Sequence, residues 1–403
     1  MAVRSIDAPA PSRPSLASLF PAIAGRTYLD AAATSLLPSP VVAVVAEELS
    51  RGGGAGRSVH ALGQRATDAY AEARREVAAH LRAESDALVW TRSATEGLNL
   101  VAGWGHRHLE PGDEVCVSRL EHHSQLLPWR RACEATGARL VTLECTPSGE
   151  LDLSDVRQKL SSRTKVVALT HVSNVTGAVS PLSEVRALID AASTDALFVV
   201  DGAQGVPHLD VDVNDIGCDA YVFSAHKTYG PPGVGALWLS RRRQEECAPL
   251  LVGGGMVTQV GESDLTFAHG PHRFEAGTPN VAGAVGTAAG LRFLAAHRTE
   301  ERALATFAAE ALESEEGVVL VGRPKARAGV VSFALEGIHP HDFGTFADDA
   351  GVALRVGHHC AQPLVQALGY QSVVRASFGV YNTKDDVTRL VSVVQDARQV
   401  FGP

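Results

Sequence analysis

Two charged side chains in this sequence stand where apolar strands end, a place that packing alone does not favour. Asp201 closes the run in "LFVVDGAQ", and Lys227 follows the run in "AYVFSAHK". A carboxylate at the end of a buried strand needs a cation or strong hydrogen bonds, because desolvation disfavours its charge. A lysine there must reach water or a partner, and an amine stripped of hydration is suited to Schiff-base chemistry. In "TRSATEG", Ser93, Ala94, Thr95 and Glu96 stand at a predicted helix start, with Ser93 and Glu96 at capping-box spacing. That stretch reads as a plain N-cap or as an anion cradle of helix-start amides and hydroxyls. Amine, carboxylate and cradle are the three parts of a pyridoxal-phosphate site. The amine holds the aldehyde, the carboxylate keeps the pyridine nitrogen protonated, and the cradle anchors the phosphate.

Other polar residues at strand ends are less specific. His122 and His123 follow one strand, and His171 and Asn174 follow another. Each histidine taken alone is as well explained as a loop or core residue. In "VALRVGHHCAQPLVQ", Cys360 follows His358 and His359 in a Gly/His turn. It can be read as a packing residue, a metal ligand, a disulfide partner or a nucleophile. The six cysteines (116, 133, 145, 218, 247 and 360) show no CxxC pair and no metal-style spacing, which points to reduced thiols. Cys116 and Cys218 adjoin apolar strand-like runs and are expected in the core.

The elements that must position these groups alternate between about residues 65 and 240. Helical periodicity in "TDAYAEARREVAAHLRA", "ATEGLNLVAGW", "LPWRRACEATG" and "PLSEVRALIDAAS" separates short, continuously apolar strands. That pattern predicts a mostly parallel sheet covered on both faces, with the ligand crevice beyond the carboxyl ends of the strands. After residue 280 comes a helical stretch broken by glycines, then "AGVVSFALEG", "PHDFGTFADDAG", "VALRV", "VVRASFGVYN" and a terminal helix. The expected organisation is an N-terminal arm over 1–24 packing on the small domain, a large domain over 25–285 and a small α+β domain over 286–403.

Bulk properties exclude several classes. The chain has 403 residues, 45% hydrophobic and 20% charged, which suits two globular domains. A formal charge of −9 argues against nucleic acid or an anionic membrane as the main partner. The N-terminus has no apolar signal core, and no run approaches the ~18 residues needed to span a bilayer. A cytoplasmic location is expected.

Nine blocks in order resemble the Suf-type (group II) cysteine desulfurases, within the class V, fold-type I pyridoxal-phosphate enzymes. They are "YLDAAAT", "TEGLNLV", "EHHS…PW", "THVSNVTG", "VDGAQ", "FSAHKTYGPPGVG", "RFEAGTPN", "RVGHHCAQPL" and "RASFGVYNT". The resemblance implies that Lys227 links the cofactor and serves as general acid and base. It implies Asp201 on the pyridinium nitrogen, Gln204 on the ring oxygen and His123 stacked on the ring. Ala94, Thr95, Ser224 and His226 would hold the phosphate, with Thr278 reaching across from the second subunit of a homodimer. Arg375 and Asn174 would bind the substrate carboxylate, and Arg355 and His60 would line the substrate pocket. Cys360 would take the sulfur of L-cysteine as a persulfide and pass it to an acceptor protein, for iron–sulfur cluster assembly or another thio-product. His358 and His359 would either favour the thiolate or only shape the turn. His341, read as lying on a loop, would help dock the acceptor. No resident metal is implied. The alternatives are a selenocysteine lyase, or a class V lyase or epimerase without a covalent sulfur step. "GAGRSVH", "SAHK" and "VGGGMV" depart from the family's usual stretches, none at a chemically required group.

Overall fold

The computed structural model describes residues 16–56, 58–192, 195–298 and 301–401. Most of the expected N-terminal arm and Arg57 lie outside these residues. Within the described part of the arm, the Phe20 ring packs edge-on against Tyr381 at 4.9 Å and Phe293 at 5.7 Å. Both partners lie with Phe20 in the core that covers one face of the large sheet.

The large part is built on a seven-stranded sheet ordered Leu88–Thr91, Gly235–Leu239, Ala220–Ser224, Leu197–Asp201, Thr164–Thr170, Glu114–Ser118, Arg139–Leu143. Gly235–Leu239 runs antiparallel to both neighbours, and the other strands are parallel. The continuous apolar runs are required because separate hydrophobic cores cover the two faces. Parallel strands all end at one edge. Thr170 registers with Asp201, and Ser224 ends the next strand, so the polar residues after these runs share that edge.

The helical stretch after residue 280 is not broken by its glycines. Helix Val281–His297 runs through Gly283, Gly286 and Gly290 and stops only at Arg298. These glycines form one face at helical spacing. A Cβ at Gly290 would stand 2.6 Å from the Thr228 carbonyl, and one at Gly286 would stand 2.9 Å from Pro231. The glycine face therefore lets the helix press against the turn that follows Lys227. The expected boundary at residue 285 falls inside this helix, whose side chains join the large-sheet core. The next helix, Glu301–Glu313, packs its apolar face into the small-sheet core instead.

The small sheet is antiparallel and ordered Val318–Leu320, Val330–Leu335, Val373–Ser377, Arg355–Gly357. Its register sets Arg355 directly opposite Arg375. Strand Thr27–Tyr28 pairs with Val352–Ala353, carrying the chain's start onto the small part.

Candidate active site

A cavity of about 200 Å³ opens at the carboxyl edge of the large sheet, where the small sheet meets it. The strand ends supply Asp201, Ser224, Lys227 and Thr170, and the small sheet supplies Arg355 and Arg375. The cradle comes from the start of helix Ala94–Gly105. There Ser93 Oγ accepts the Glu96 N–H at 3.3 Å, while the Glu96 carboxylate accepts the Arg92 N–H, one residue earlier than in a capping box. Ser224 Oγ accepts the Ala94 N–H at 2.7 Å, and Thr95 Oγ1 lies 2.8 Å from Ser124 Oγ. Close approach makes this possible: a Cβ at Gly235 would stand 2.7 Å from the Ser93 backbone. The cap and cradle readings describe the same residues.

Charges in the cavity are shifted by burial. Protein atoms crowd the Lys227 amine, and this desolvation pushes its pKa down to about 8 against the opposing pull of Asp201. Burial likewise raises the Asp201 pKa, opposed by the Ala203 N–H it accepts at 2.9 Å and by Lys227. His226, next to the lysine, is held down to about 4 by burial and by that charge. Arg375 is wholly buried; its Nη2 donates to Asp30 at 2.8 Å and its Nη1 to the Asn174 carbonyl at 3.2 Å. Two guanidiniums face each other across the strands beside a lysine, and like charges so placed repel unless anions join them.

The pocket is unfinished in a way that fits an anionic ring cofactor and a carboxylate substrate. Gln204 Nε2 donates to the Ala32 carbonyl at 2.7 Å with one N–H to spare, while Gln204 Oε1 and Arg375 Nε are buried without partners. The hydroxyls of Thr95, Ser124 and Ser224 gather at the positive end of a twelve-residue helix. These features match the phosphate, ring oxygen and pyridine nitrogen of pyridoxal phosphate.

Two expectations, for His123 and His341, need correction. The histidine lining the cavity is His122, not His123. His122 caps helix His123–Thr136 through Nδ1, and burial plus the Lys227 charge lowers it to about 3. His123 is turned to the cysteine loop. His60 is exposed and does not reach the cavity of its own chain; its Nδ1 accepts the Gly63 N–H at 3.2 Å and caps helix Ala61–His80. His341 is not on a loop. It occupies the first turn of helix Pro340–Asp349, capped by His339 with the two rings stacked. Thr278 lies away from the cavity, on a surface hollow with Trp90, Arg92 and Glu96.

Cys360 sits half-buried between strand Arg355–Gly357 and helix Gln362–Ala367. Its carbonyl accepts the His123 backbone N–H at 2.7 Å, and Asn174 Nδ2 donates to the His359 carbonyl at 2.7 Å. Both Lys227 and Arg375 lie close enough to feel the Cys360 charge. Cys116, Cys133, Cys218 and Cys247 are buried, and burial pushes each thiol up, to about 12, 11 and 12 for Cys116, Cys133 and Cys247 and further still for Cys218, away from thiolate formation. Among the described residues, no three His, Cys, Asp or Glu side chains converge on a metal position.

Sequence reasoning missed Asp30, Glu121 and Ser124. Asp30 follows a strand in "TYLDAAAT", the same signal that marked Asp201. Glu121 is buried behind the sheet edge, where its Oε1 accepts from Ser118 Oγ and the Thr170 N–H. Its other oxygen has no partner, and burial raises its pKa to about 8. Nothing in "SRLEHHS" announces that environment.

The parallel sheet, edge cleft and buried lysine define a fold-type I α/β enzyme. Residues 27–390 match the aminotransferase class-V family model, and the chain belongs to that family. It is 40% identical over 383 residues to a probable cysteine desulfurase of Halalkalibacterium halodurans, covering 93% of this chain and 94% of the relative. A probable cysteine desulfurase of Staphylococcus aureus is 39% identical over 384 residues, covering 93% and 92%. Among solved structures, the apo cysteine desulfurase of Thermococcus onnurineus NA1 superposes with a TM-score of 0.92 at 37% identity, over 96% of this chain and 98% of that one. The Escherichia coli cysteine desulfurase CsdA, in an S-sulfonic acid form, gives 0.88 at 38% identity, over 95% and 98%.

Proposed function

We propose that this chain is a pyridoxal-phosphate-dependent cysteine desulfurase, converting L-cysteine to L-alanine and loading the sulfur onto Cys360. The observation that carries the reading is that Asn174, which lines the Lys227 cavity, holds the carbonyl of His359 beside Cys360 and so sets the thiol turn at the cavity's edge. A lyase or epimerase has no use for a cysteine held there.

Arg375, steadied by Asp30, and Arg355 opposite it would grip the substrate carboxylate. Asp201, the cradle, Gln204 and His122 would hold the cofactor. When bound, pyridoxal phosphate supplies a conjugated ring that takes up the electron pair released at the substrate's Cα. The Lys227 amine, with its lowered pKa, has the basicity to take the Cα proton and later return one to carbon. In the sulfur step the substrate's C–S bond breaks and an S–S bond forms to Cys360 Sγ. Cysteine plus thiol becomes alanine plus persulfide, the sulfur being oxidised and the carbon reduced, with hydrogen conserved.

The reading extends to a homodimer in which Thr278 and His60 complete the partner's cavity. Supporting it, His60 is flanked by exposed Val59 and Leu62, and Leu250, Leu251 and Val252 are exposed near Thr278. Bare aliphatic patches of this kind favour burial against another surface. A sulfur-acceptor protein would take the persulfide for iron–sulfur clusters or another thio-product, as in the Suf-type subgroup. Helix Pro340–Asp349, carrying His341, adjoins the strand leading to Cys360 and is our candidate for contact with that acceptor. We place the division of the two domains after His297. No described helix is long and apolar enough to cross a membrane, in keeping with the cytoplasmic location we propose.

The test is to supply the holoprotein with L-cysteine, measure alanine, and map persulfide by mass spectrometry. Persulfide is expected at Cys360, and Cys360→Ala should keep the cofactor but lose acceptor-directed sulfur transfer. Undiminished alanine turnover in that variant would refute the reading.

A further inference from the structure

The backbone at the cysteine is held in a conformation that side chains resist. His359 and Cys360 are adjacent and both left-handed, with φ of +53° and +57°. L residues other than glycine rarely adopt that region, and two in succession must be stabilised by their surroundings. Here the large part supplies the hold. Asn174 Nδ2 takes the first carbonyl and the His123 N–H takes the second, each at 2.7 Å. The His123 ring then reaches past the cysteine, and its Nε2 accepts the Gln362 N–H at 3.3 Å. His123 thus bonds the turn twice, through its backbone at the Cys360 carbonyl and through its ring two residues further on, while Asn174 holds the residue before the cysteine.

We propose that the His123 side chain is a positioning residue, which locks the Cys360 loop in its left-handed form by accepting the Gln362 N–H at Nε2 and so fixes the thiol's direction. This deepens the desulfurase reading and rests on it for its consequence in turnover. The lock itself is a property of the loop. Any substitution except proline keeps the backbone bond to Cys360, so the ring bond can be tested separately.

The lock requires a neutral ring with its proton on Nδ1. The titratable groups facing it are His358, and His122 with ring centres 6.3 Å apart; Lys227, Arg355 and Arg375 act on His122 from the cavity side. Burial first and the His358 charge second lower the His123 pKa, so the ring is neutral at and below ordinary neutral pH. As pH falls through the lowered value, Nε2 takes the proton and can no longer accept. The lock is present above that pH and lost below it.

The experiment compares His123→Leu, which removes the acceptor, with His123→Gln, whose Oε1 can stand in for Nε2 without titrating. Iodoacetamide labelling of the Cys360 peptide and single-turnover persulfide formation are followed across acid to neutral pH in holoprotein. At neutral pH the Leu variant should change labelling and slow persulfide formation by about 3- to 10-fold, the size of one hydrogen bond, with the KM for L-cysteine and the cofactor spectrum unmoved. The Gln variant should recover wild-type values and lose the wild type's acid limb. Wild-type behaviour in the Leu variant, or a Gln variant as impaired as Leu, would overturn the lock. If wild type made no alanine from L-cysteine the desulfurase reading would fall, while the labelling arm would still decide the lock.

Discussion

The floor of the cavity and the cysteine loop above it are built on opposite principles. The floor's Asp201, Ser224 and Lys227 lie at the ends of strands buried along their whole length, so packing positions them before any ligand arrives. The Cys360 loop is not a strand end: His359 and Ala361 beside it are buried, but Cys360 itself is only half-buried. The loop is anchored by three hydrogen bonds from the large part and keeps two residues in a disfavoured conformation. A rigid floor suits a cofactor that stays, and a loop held by few bonds suits a thiol that must receive an atom and then present it elsewhere.

The comparison is tested hardest at Lys227. Lys227→Ala removes the group we propose to link the cofactor and move the Cα proton, so turnover should fall on the order of 10³-fold or more. The visible absorption band of the lysine-linked cofactor should vanish with it. Because the floor is rigid, the fold should survive, with an unchanged far-ultraviolet dichroism spectrum. Retained turnover would mean that the chemistry does not lie at the floor.

Arg375 belongs to the small sheet but is buried against the floor, and its substitution asks which region it serves. Arg375→Lys keeps the charge but loses the planar fork that donates to Asp30 and that we propose grips the substrate carboxylate as well. We expect kcat/KM for L-cysteine to fall roughly 10- to 100-fold, mainly through KM. An unchanged KM with slower persulfide formation would assign Arg375 to the loop.

The same contrast explains what the sequence revealed. Floor residues were legible because an apolar run ending in Asp or Lys is anomalous in itself, and the strand pattern fixes where that end must lie. The helix glycines misled because a glycine face at i, i+3 and i+7 signals close packing, not interruption, once there is backbone for it to meet. At the loop, the adjacent pair His122 and His123 defeats sequence reasoning. Only the three-dimensional exit from strand Glu114–Ser118 decides which ring enters the cavity and which turns to Cys360. His60 and Thr278 do not line the pocket of a single chain.

The smallest expected effect concerns the floor's hidden support, Glu121. With its pKa raised to about 8 by burial, this side chain carries its proton at pH 7. Glutamine has the same shape, keeps an oxygen for the Thr170 N–H, and presents an N–H where the protonated oxygen stood. Glu121→Gln should therefore leave activity at pH 7 within about 2-fold. The two proteins should part on the alkaline side, where wild type ionises a second carboxylate near Asp201 and the variant cannot. Unfolding gives a second measure. Between the ordinary glutamate value and about 8 the folded wild type holds a proton that the unfolded chain has released, so its stability falls as pH rises through that window and levels off above it. The variant lacks that slope, so denaturant midpoints at acid, neutral and alkaline pH should show it gaining on wild type as pH rises. Parallel midpoints at every pH would mean that Glu121 is already ionised in the fold, and that the floor carries two anions and not one.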